Sequence, residues 1–217
     1  KDSRARDCFV RTGDDAMEVK AFTDSTDPDC YTDGVLFENN CVWTDKGIGY
    51  GCIYESKHDI KNVIFRNNSI GFAQASWSEH LGCCTVQMGS VKTSTWEDIH
   101  FENMEVYKTS CALLSVFNRA NNEREGGKIK DIYFENITAK YAVQTNLPVY
   151  CLSVVIRLKE GATWQNSTIG ALYLDNIRYA GAEIAADNYE EYTNIALDNG
   201  ARFARSSIKV NKLSGEE

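Results

Sequence analysis

Proline is nearly absent from this chain, with Pro28 and Pro148 the only two in 217 residues, and long apolar runs are missing altogether. No stretch approaches the ~20 consecutive apolar residues that a membrane-spanning helix needs, so a membrane is not an expected partner. Positive charge is short as well: 23 lysines and arginines face 31 aspartates and glutamates, a formal net charge of −8. A nucleic-acid binder normally carries a basic stripe to neutralise phosphates, whereas the basic residues here are scattered, and nucleic acid is excluded as a partner. The same balance favours a neutral substrate over a long polyanion. Histidine is limited to His58, His80 and His100. Neither these nor Cys83-Cys84 forms a C-x-x-C or H-x-x-x-H pair, so the spacing supplies no zinc site and no cofactor is expected. Helical periodicity is also lacking, because no repeat carries windows of a dozen residues with apolar positions three and four apart.

What the chain does have is repetition. A short phrase returns five times: an aliphatic residue, any residue, a large apolar residue, any residue, then asparagine. It reads Val35-Leu-Phe37-Glu-Asn39, Val63-Ile-Phe65-Arg-Asn67, Ile99-His-Phe101-Glu-Asn103, Ile132-Tyr-Phe134-Glu-Asn136 and Leu172-Tyr-Leu174-Asp-Asn176. Successive large apolar positions are 28, 36, 33 and 40 residues apart, the mark of one supersecondary unit per repeat with loops of variable length. Within the phrase the period is two, which is a strand. A second strand-like run separates the phrases: Gly51–Glu55, Cys84–Met88, Ala112–Phe117 and Leu152–Leu158. Each unit therefore reads as at least two strands bent round corners, one coil of a parallel β-helix. The expected fold is all-β, a solenoid of about five coils over residues 1–180, with residues 181–217 capping the same domain as a short helix or loop and a final strand. The phrase's asparagine suits a coil corner, since Asn tolerates the left-handed conformation, and stacked amides can also bond one another along the axis.

Eight cysteines would suggest a disulfide framework in a small secreted domain, but Cys52, Cys84, Cys111 and Cys151 fall in or beside equivalent strands and are expected as stacked, buried free thiols. Cys8 and Cys30 are the pair that could join. The opening Lys1-Asp-Ser-Arg, without initiator methionine or signal peptide, reads as a mature form or a fragment, and the expected location is secreted or cell-surface.

The strongest candidate for chemistry is Thr12-Gly13-Asp14-Asp15-Ala16-Met17-Glu18-Val19, where a glycine turn delivers two adjacent carboxylates to the head of a strand. Carboxylates facing one cleft push a pKa up, and a carboxyl that keeps its proton can act as a general acid. The plain alternative is a solvated turn. Sugar faces stack on aromatic rings while polar side chains read hydroxyls, so Trp43, Tyr50, Tyr54 and Trp77, with Glu55, Gln87, Asn118 and Arg119 at strand ends, are the candidate lining of a substrate groove. Trp96 and Trp164 abut the strand phrases and are expected in the core.

The Gly-Asp-Asp-Ala-Met-Glu-Val segment, followed by Gly49-Tyr50-Gly51-Cys52-Ile53 and by Ile60-Lys-Asn-Val-Ile-Phe-Arg-Asn67, resembles the right-handed β-helix glycoside hydrolases: the polygalacturonase family (family 28) and the dextranase and isopullulanase family (family 49). The resemblance covers residues 9 to 180 as architecture. It implies that Asp14 is the general acid of an inverting hydrolase and Asp15 one of the carboxylates that hold the attacking water. The family's third aspartate, about twenty residues earlier, has no counterpart here, so the expectation is either a part of a larger enzyme or a solenoid that is not a working hydrolase by itself. Where polygalacturonases carry Gly-His-Gly this chain has Gly49-Tyr50-Gly51, and Arg157-Leu158-Lys159 resembles their Arg-Ile-Lys segment but comes several coils later. These departures favour a neutral α-glucan such as dextran over polygalacturonate, as a polysaccharide or oligosaccharide substrate. Three rivals stand beside this reading. A leucine-rich repeat fits Ile60–Ile70, but the later units break its asparagine position and exceed its roughly 20–29-residue period. A calcium-dependent lyase would need an acidic metal cluster. A non-catalytic β-helix that binds carbohydrate, as in an adhesin or phage fibre, needs no carboxylate pair.

Overall fold

Alternation along each phrase becomes alternation of burial: Val63 and Phe65 are fully buried while Ile64 and Arg66 face outward, and the same holds for Ile99 and Phe101 against His100 and Glu102. A computed structural model describes residues 1–22, 30–54, 56–74, 80–89, 94–120, 126–143, 149–158, 160 and 166–211. Among the described residues there are eighteen strands, numbered in chain order. The phrases form one parallel sheet in the order β1 (Ser3–Arg6), β4 (Thr32–Glu38), β7 (Ile60–Arg66), β10 (Ser94–Thr109), β12 (Gly127–Ala142) and β15 (Leu172–Tyr179). Beyond the asparagines this sheet continues as a second limb, in which β2 (Phe9–Thr12), β5 (Cys41–Thr44) and β8 (Ser69–Ala73) pair in parallel and β8 joins the later half of β10. The other sheet is parallel throughout and holds β3 (Met17–Val19), β6 (Tyr50–Ile53), β9 (Gly82–Met88), β11 (Ala112–Arg119), β13 (Leu152–Arg157) and β17 (Thr193–Asp198). The chain is thus all-β with parallel sheets, an arrangement compatible with a β-helix.

Register turns the repeat into a core. Phe37, Phe65, Phe101, Phe134 and Leu174 are aligned partners, and the four rings stack at centroid separations of 5.2, 4.7 and 5.3 Å. Each phrase asparagine has positive φ, between 48° and 57° at Asn39, Asn67, Asn103, Asn136 and Asn176. Their amides form a ladder: Asn176 donates to Asn136 at 2.8 Å, Asn136 to Asn103 at 3.1 Å and Asn103 to Asn67 at 2.9 Å. The corner and the ladder therefore coexist. A second left-handed position, one residue before each of the first four phrases, carries Gly34, Asn62, Asp98 and Asp131, with Asp2 in the equivalent place on β1. At Gly34 a Cβ would approach Asp2 Oδ1 to 2.7 Å.

After residue 180 the chain does more than cap. β16 (Ala182–Ile184) folds back antiparallel on β15 and a 3-10 turn spans Tyr189–Tyr192. Then β17 and β18 (Ile208–Val210) each add a parallel strand, one to either sheet. Trp96 lies in the core as expected, its indole N–H donating to the His58 carbonyl at 3.3 Å, while Trp164 lies outside the described residues. The eight cysteines are free thiols. Cys8 and Cys30 are not joined: Cys8 precedes β2 and donates its N–H to Asn40 at the corner before β5, and Cys30 lies at the entry to β4. Cys52, Cys84, Cys111 and Cys151 are buried as expected but do not form one stack. Cys52 is level with Val86, whereas Cys84 is level with Tyr50 and Leu114, because the spacing between phrases varies and moves sulfur from one row to the next.

Candidate functional site

Strand β3 presents the carboxylates. Met17 and Val19 are buried in the core, so period-two alternation turns Glu18 to the outer face of the second sheet. Just before the strand, the Asp14–Asp15 turn is fixed by backbone. Thr12 Oγ1 accepts from the Asp14 N–H at 3.1 Å, Asp14 Oδ1 accepts from the Asp15 N–H at 2.9 Å, and Asp15 Oδ1 accepts from the Ile48 N–H at 2.9 Å. Buried Thr44 ties this turn to the next repeat, donating its hydroxyl to the Asp14 carbonyl at 2.7 Å and accepting from the Gly47 N–H at 2.8 Å. Gly47 lies so close that a Cβ there would sit 2.3 Å from Asp15 N and 2.4 Å from Asp14 C, and no other residue fits. Asp14 stands exposed and Asp15 half-buried.

Glu18 lies close enough to feel both aspartates. Its burial, reinforced by the Asp15 and Asp14 charges, holds its carboxyl above the ordinary value of 4.5 despite an ion pair with Lys20 at 3.0 Å. One Glu18 oxygen, Oε2, is buried without a hydrogen-bond partner. Beyond Lys20 a hollow of about 290 Å3 is lined by Lys20, Phe22, Tyr31 and His58.

Level with Glu18, the side of the sheet away from the phenylalanine row carries Gly51, Thr85, Ser115, Ser153 and Asn194, of which Gly51, Thr85, Ser115 and Ser153 are buried. His80 lies over the Asn194 end of this set. Ser115 Oγ donates to its carbonyl, its Nδ1 lies 3.3 Å from Asn194 Nδ2 and 3.5 Å from Ser153 Oγ, and its ring meets the Phe117 face edge-on. The Asn194 amide donates, so Nδ1 accepts and cannot serve as a base toward a ligand while so engaged. Farther along the face, Arg119 Nη1 donates to Tyr54 Oη at 3.0 Å, and Arg157 is held by Asp198 at 3.1 Å while lying over Phe117.

The residues singled out from sequence therefore divide. Asp14 and Asp15 head β3, and Tyr54, Gln87 and Arg119 share its sheet's outer face. Tyr50 does not line a groove: it is fully buried against Phe65, and burial pushes its phenol far up. Nor does Asn118, also fully buried, whose amide donates to the carbonyls of Gly127 at 2.7 Å and Thr168 at 2.9 Å and so holds a corner from inside. Trp43 is exposed but belongs to β5 on the other sheet, where its indole donates to Asp45 and Phe72 packs beside it. Glu55 and Trp77 lie outside the described residues. Glu18 was missed, though alternation between Met17 and Val19 predicted its outward direction. Among the described residues the side chains grouped as metal ligands are His100, Glu102 and Glu135, on the first sheet and apart from this cluster. No family model matches the chain, and no curated protein or solved structure matches it either.

Proposed function

We propose that this chain is a right-handed parallel β-helix of about five coils that hydrolyses a glycosidic bond in a polysaccharide by inverting acid/base catalysis. The observation that carries the reading is the trio of carboxylates at and just before β3, Asp14, Asp15 and Glu18, in which burial and the two aspartate charges hold the Glu18 carboxyl above its ordinary value. Asp14 is the exposed member and takes the part of general acid, giving its proton to the leaving oxygen as the bond to the anomeric carbon breaks. Asp15, its other oxygen fixed by the Ile48 N–H, holds the attacking water, accepts the water's proton and so delivers hydroxide to the opposite face. Glu18 stands in for the third carboxylate that the resembled hydrolases draw from an earlier coil. Burial first, and then the Asp15 and Asp14 charges, hold the Glu18 carboxyl above its ordinary value.

A neutral α-glucan suits the site better than a polyuronate. The net charge is −8, Tyr50 replaces the histidine of the Gly-His-Gly segment and is buried, and Arg157 is committed to Asp198. Tyr54 and Arg119, joined on the same face, are the side chains for stacking on a sugar and reading its hydroxyls. The test is reducing-end release from dextran, pullulan, other α-glucans and polygalacturonate by wild type, Asp14→Asn and Glu18→Gln. Release from an α-glucan that disappears in Asp14→Asn and falls in Glu18→Gln supports the reading. Retention of a polymer without release by any form replaces it with a carbohydrate-binding one.

A further inference from the structure

On the first sheet, the outward residues of neighbouring phrases stack into rows. One row brings His100, Tyr133 and Tyr173 face to face, with centroids 4.3 and 4.6 Å apart and planes within 8°, which fixes the plane of the imidazole. The next row sets Glu102 beside Glu135 and Glu135 beside Asp175. Asp98, two residues before the histidine at a left-handed position, lies 2.8 Å from His100 Nε2. With Nε2–H donating to Asp98, Nδ1 presents a lone pair, and what it faces at 3.6 Å is Glu102 Oε1, another acceptor. A cation placed between these two acceptors would join them and would also reach Glu135.

The neighbouring strand does not supply one. Arg66, the register partner of Glu102 on β7, turns away and donates through both Nε and Nη2 to Glu38, at 3.1 and 2.9 Å. The side chains of His100, Glu102 and Glu135 are half-buried, and one donor atom from each lies within 4.8 Å of the others. A point equidistant from three atoms at that limit is about 2.8 Å from each, so modest rotation of the two glutamates shortens the contacts to the ~2.0–2.2 Å of metal–nitrogen and metal–oxygen bonds.

We infer that His100 Nδ1, Glu102 and Glu135 form a binding site for a divalent transition-metal ion of the zinc class, with Asp98 as the positioning residue that fixes the histidine tautomer. Imidazole with two carboxylates is borderline in softness, which suits zinc over calcium or magnesium. A carboxylate on the far ring nitrogen is the usual second-layer support of a metal-bound histidine. Three protein ligands on an outward face leave a position for water. The site joins β10 to β12 and owes nothing to the hydrolase reading.

Equilibrium dialysis of the full chain against Zn2+, with Co2+ as the optical probe, tests it. The expected result is one ion per chain, a Co2+ spectrum of nitrogen and oxygen ligation without the intense thiolate charge-transfer band, and a thermal midpoint that rises with Zn2+. Binding is lost in His100→Ala and Glu135→Gln, and Asp98→Asn, which keeps a residue tolerant of the left-handed backbone, weakens it by about 10–100-fold. Circular dichroism of each variant confirms that it folds, and Glu135→Gln, equal in size to the native residue, serves if His100→Ala does not. Absence of saturable binding by the wild type overturns the inference. So does binding unchanged in Glu135→Gln and Asp98→Asn, or a thiolate spectrum, which would assign the ion to cysteine.

Discussion

Replacing Phe101 with alanine tests whether the repeat's stacking is what holds the fold. Phe101 is fully buried, with Phe65 at 4.7 Å on one side and Phe134 at 5.3 Å on the other, so the substitution empties the middle of the row and removes two ring pairs at once. A buried Phe→Ala change costs about 3–5 kcal/mol, and each ring pair adds about 0.5–1.5 kcal/mol. A total of about 4–8 kcal/mol, at about 2–4 °C per kcal/mol for a chain of this size, lowers the thermal midpoint by about 10–30 °C. Phe101→Leu costs far less, about 1–2 kcal/mol, because Leu174 already occupies the same row. Phe134→Ala falls between the two, since Phe134 stacks on Phe101 on one side and meets that leucine on the other. Thermal and urea unfolding of the three variants give the order. A loss below about 1 kcal/mol in Phe101→Ala, or equal losses in Phe101→Ala and Phe101→Leu, would refute the aligned row.

Glu18→Gln is expected to raise stability at neutral pH. Burial holds the folded-state carboxyl above 4.5, so the ionised form is penalised only in the folded chain, and the penalty vanishes well below that pH, where both states are protonated. The midpoint difference between variant and wild type should shrink to nothing as pH falls below 4.5, and a variant less stable than wild type at pH 7 contradicts the assignment. Gly47→Ala drives a methyl into the Asp14–Asp15 backbone and should abolish polymer hydrolysis with a stability loss of about 1–3 kcal/mol, measured by reducing-end assay beside thermal melts. Asn103→Ala loses both ladder bonds and strains a backbone at φ 53°, whereas Asn103→Gly loses the bonds alone; the alanine variant should be the less stable, and the reverse order in urea unfolding would refute the corner argument.

The strands were legible because each phrase states its own period and ends in a residue that suits a corner, so that Phe65, Phe101 and Phe134 announce the core row and Asn67, Asn103 and Asn136 the ladder. The left-handed position before the first four phrases was hidden by its chemistry, since Gly34, Asn62, Asp98 and Asp131 share a backbone conformation across three residue types. Tyr50 and Asn118 were misplaced for a related reason. A polar or aromatic side chain at a strand end suits a cleft as well as a core, and here both point inward, one against Phe65 and the other onto the Gly127 and Thr168 carbonyls. Alternation within β3 did carry Glu18, through Met17 and Val19, once the strand was granted. The His100, Glu102 and Glu135 grouping spans 33 residues between its two glutamates, beyond any local motif. Yet both occupy the phrase's fourth position, and stacking the phrases in register is enough to bring them together.

The most direct test of the hydrolase reading is proton NMR of the first products formed from a soluble α-glucan, wild type beside Asp14→Asn. The carboxylate cluster predicts new reducing ends that appear first in the β configuration and do not appear with Asp14→Asn. Product formed first as the α anomer, release unaffected by Asp14→Asn, or no release at all would contradict it.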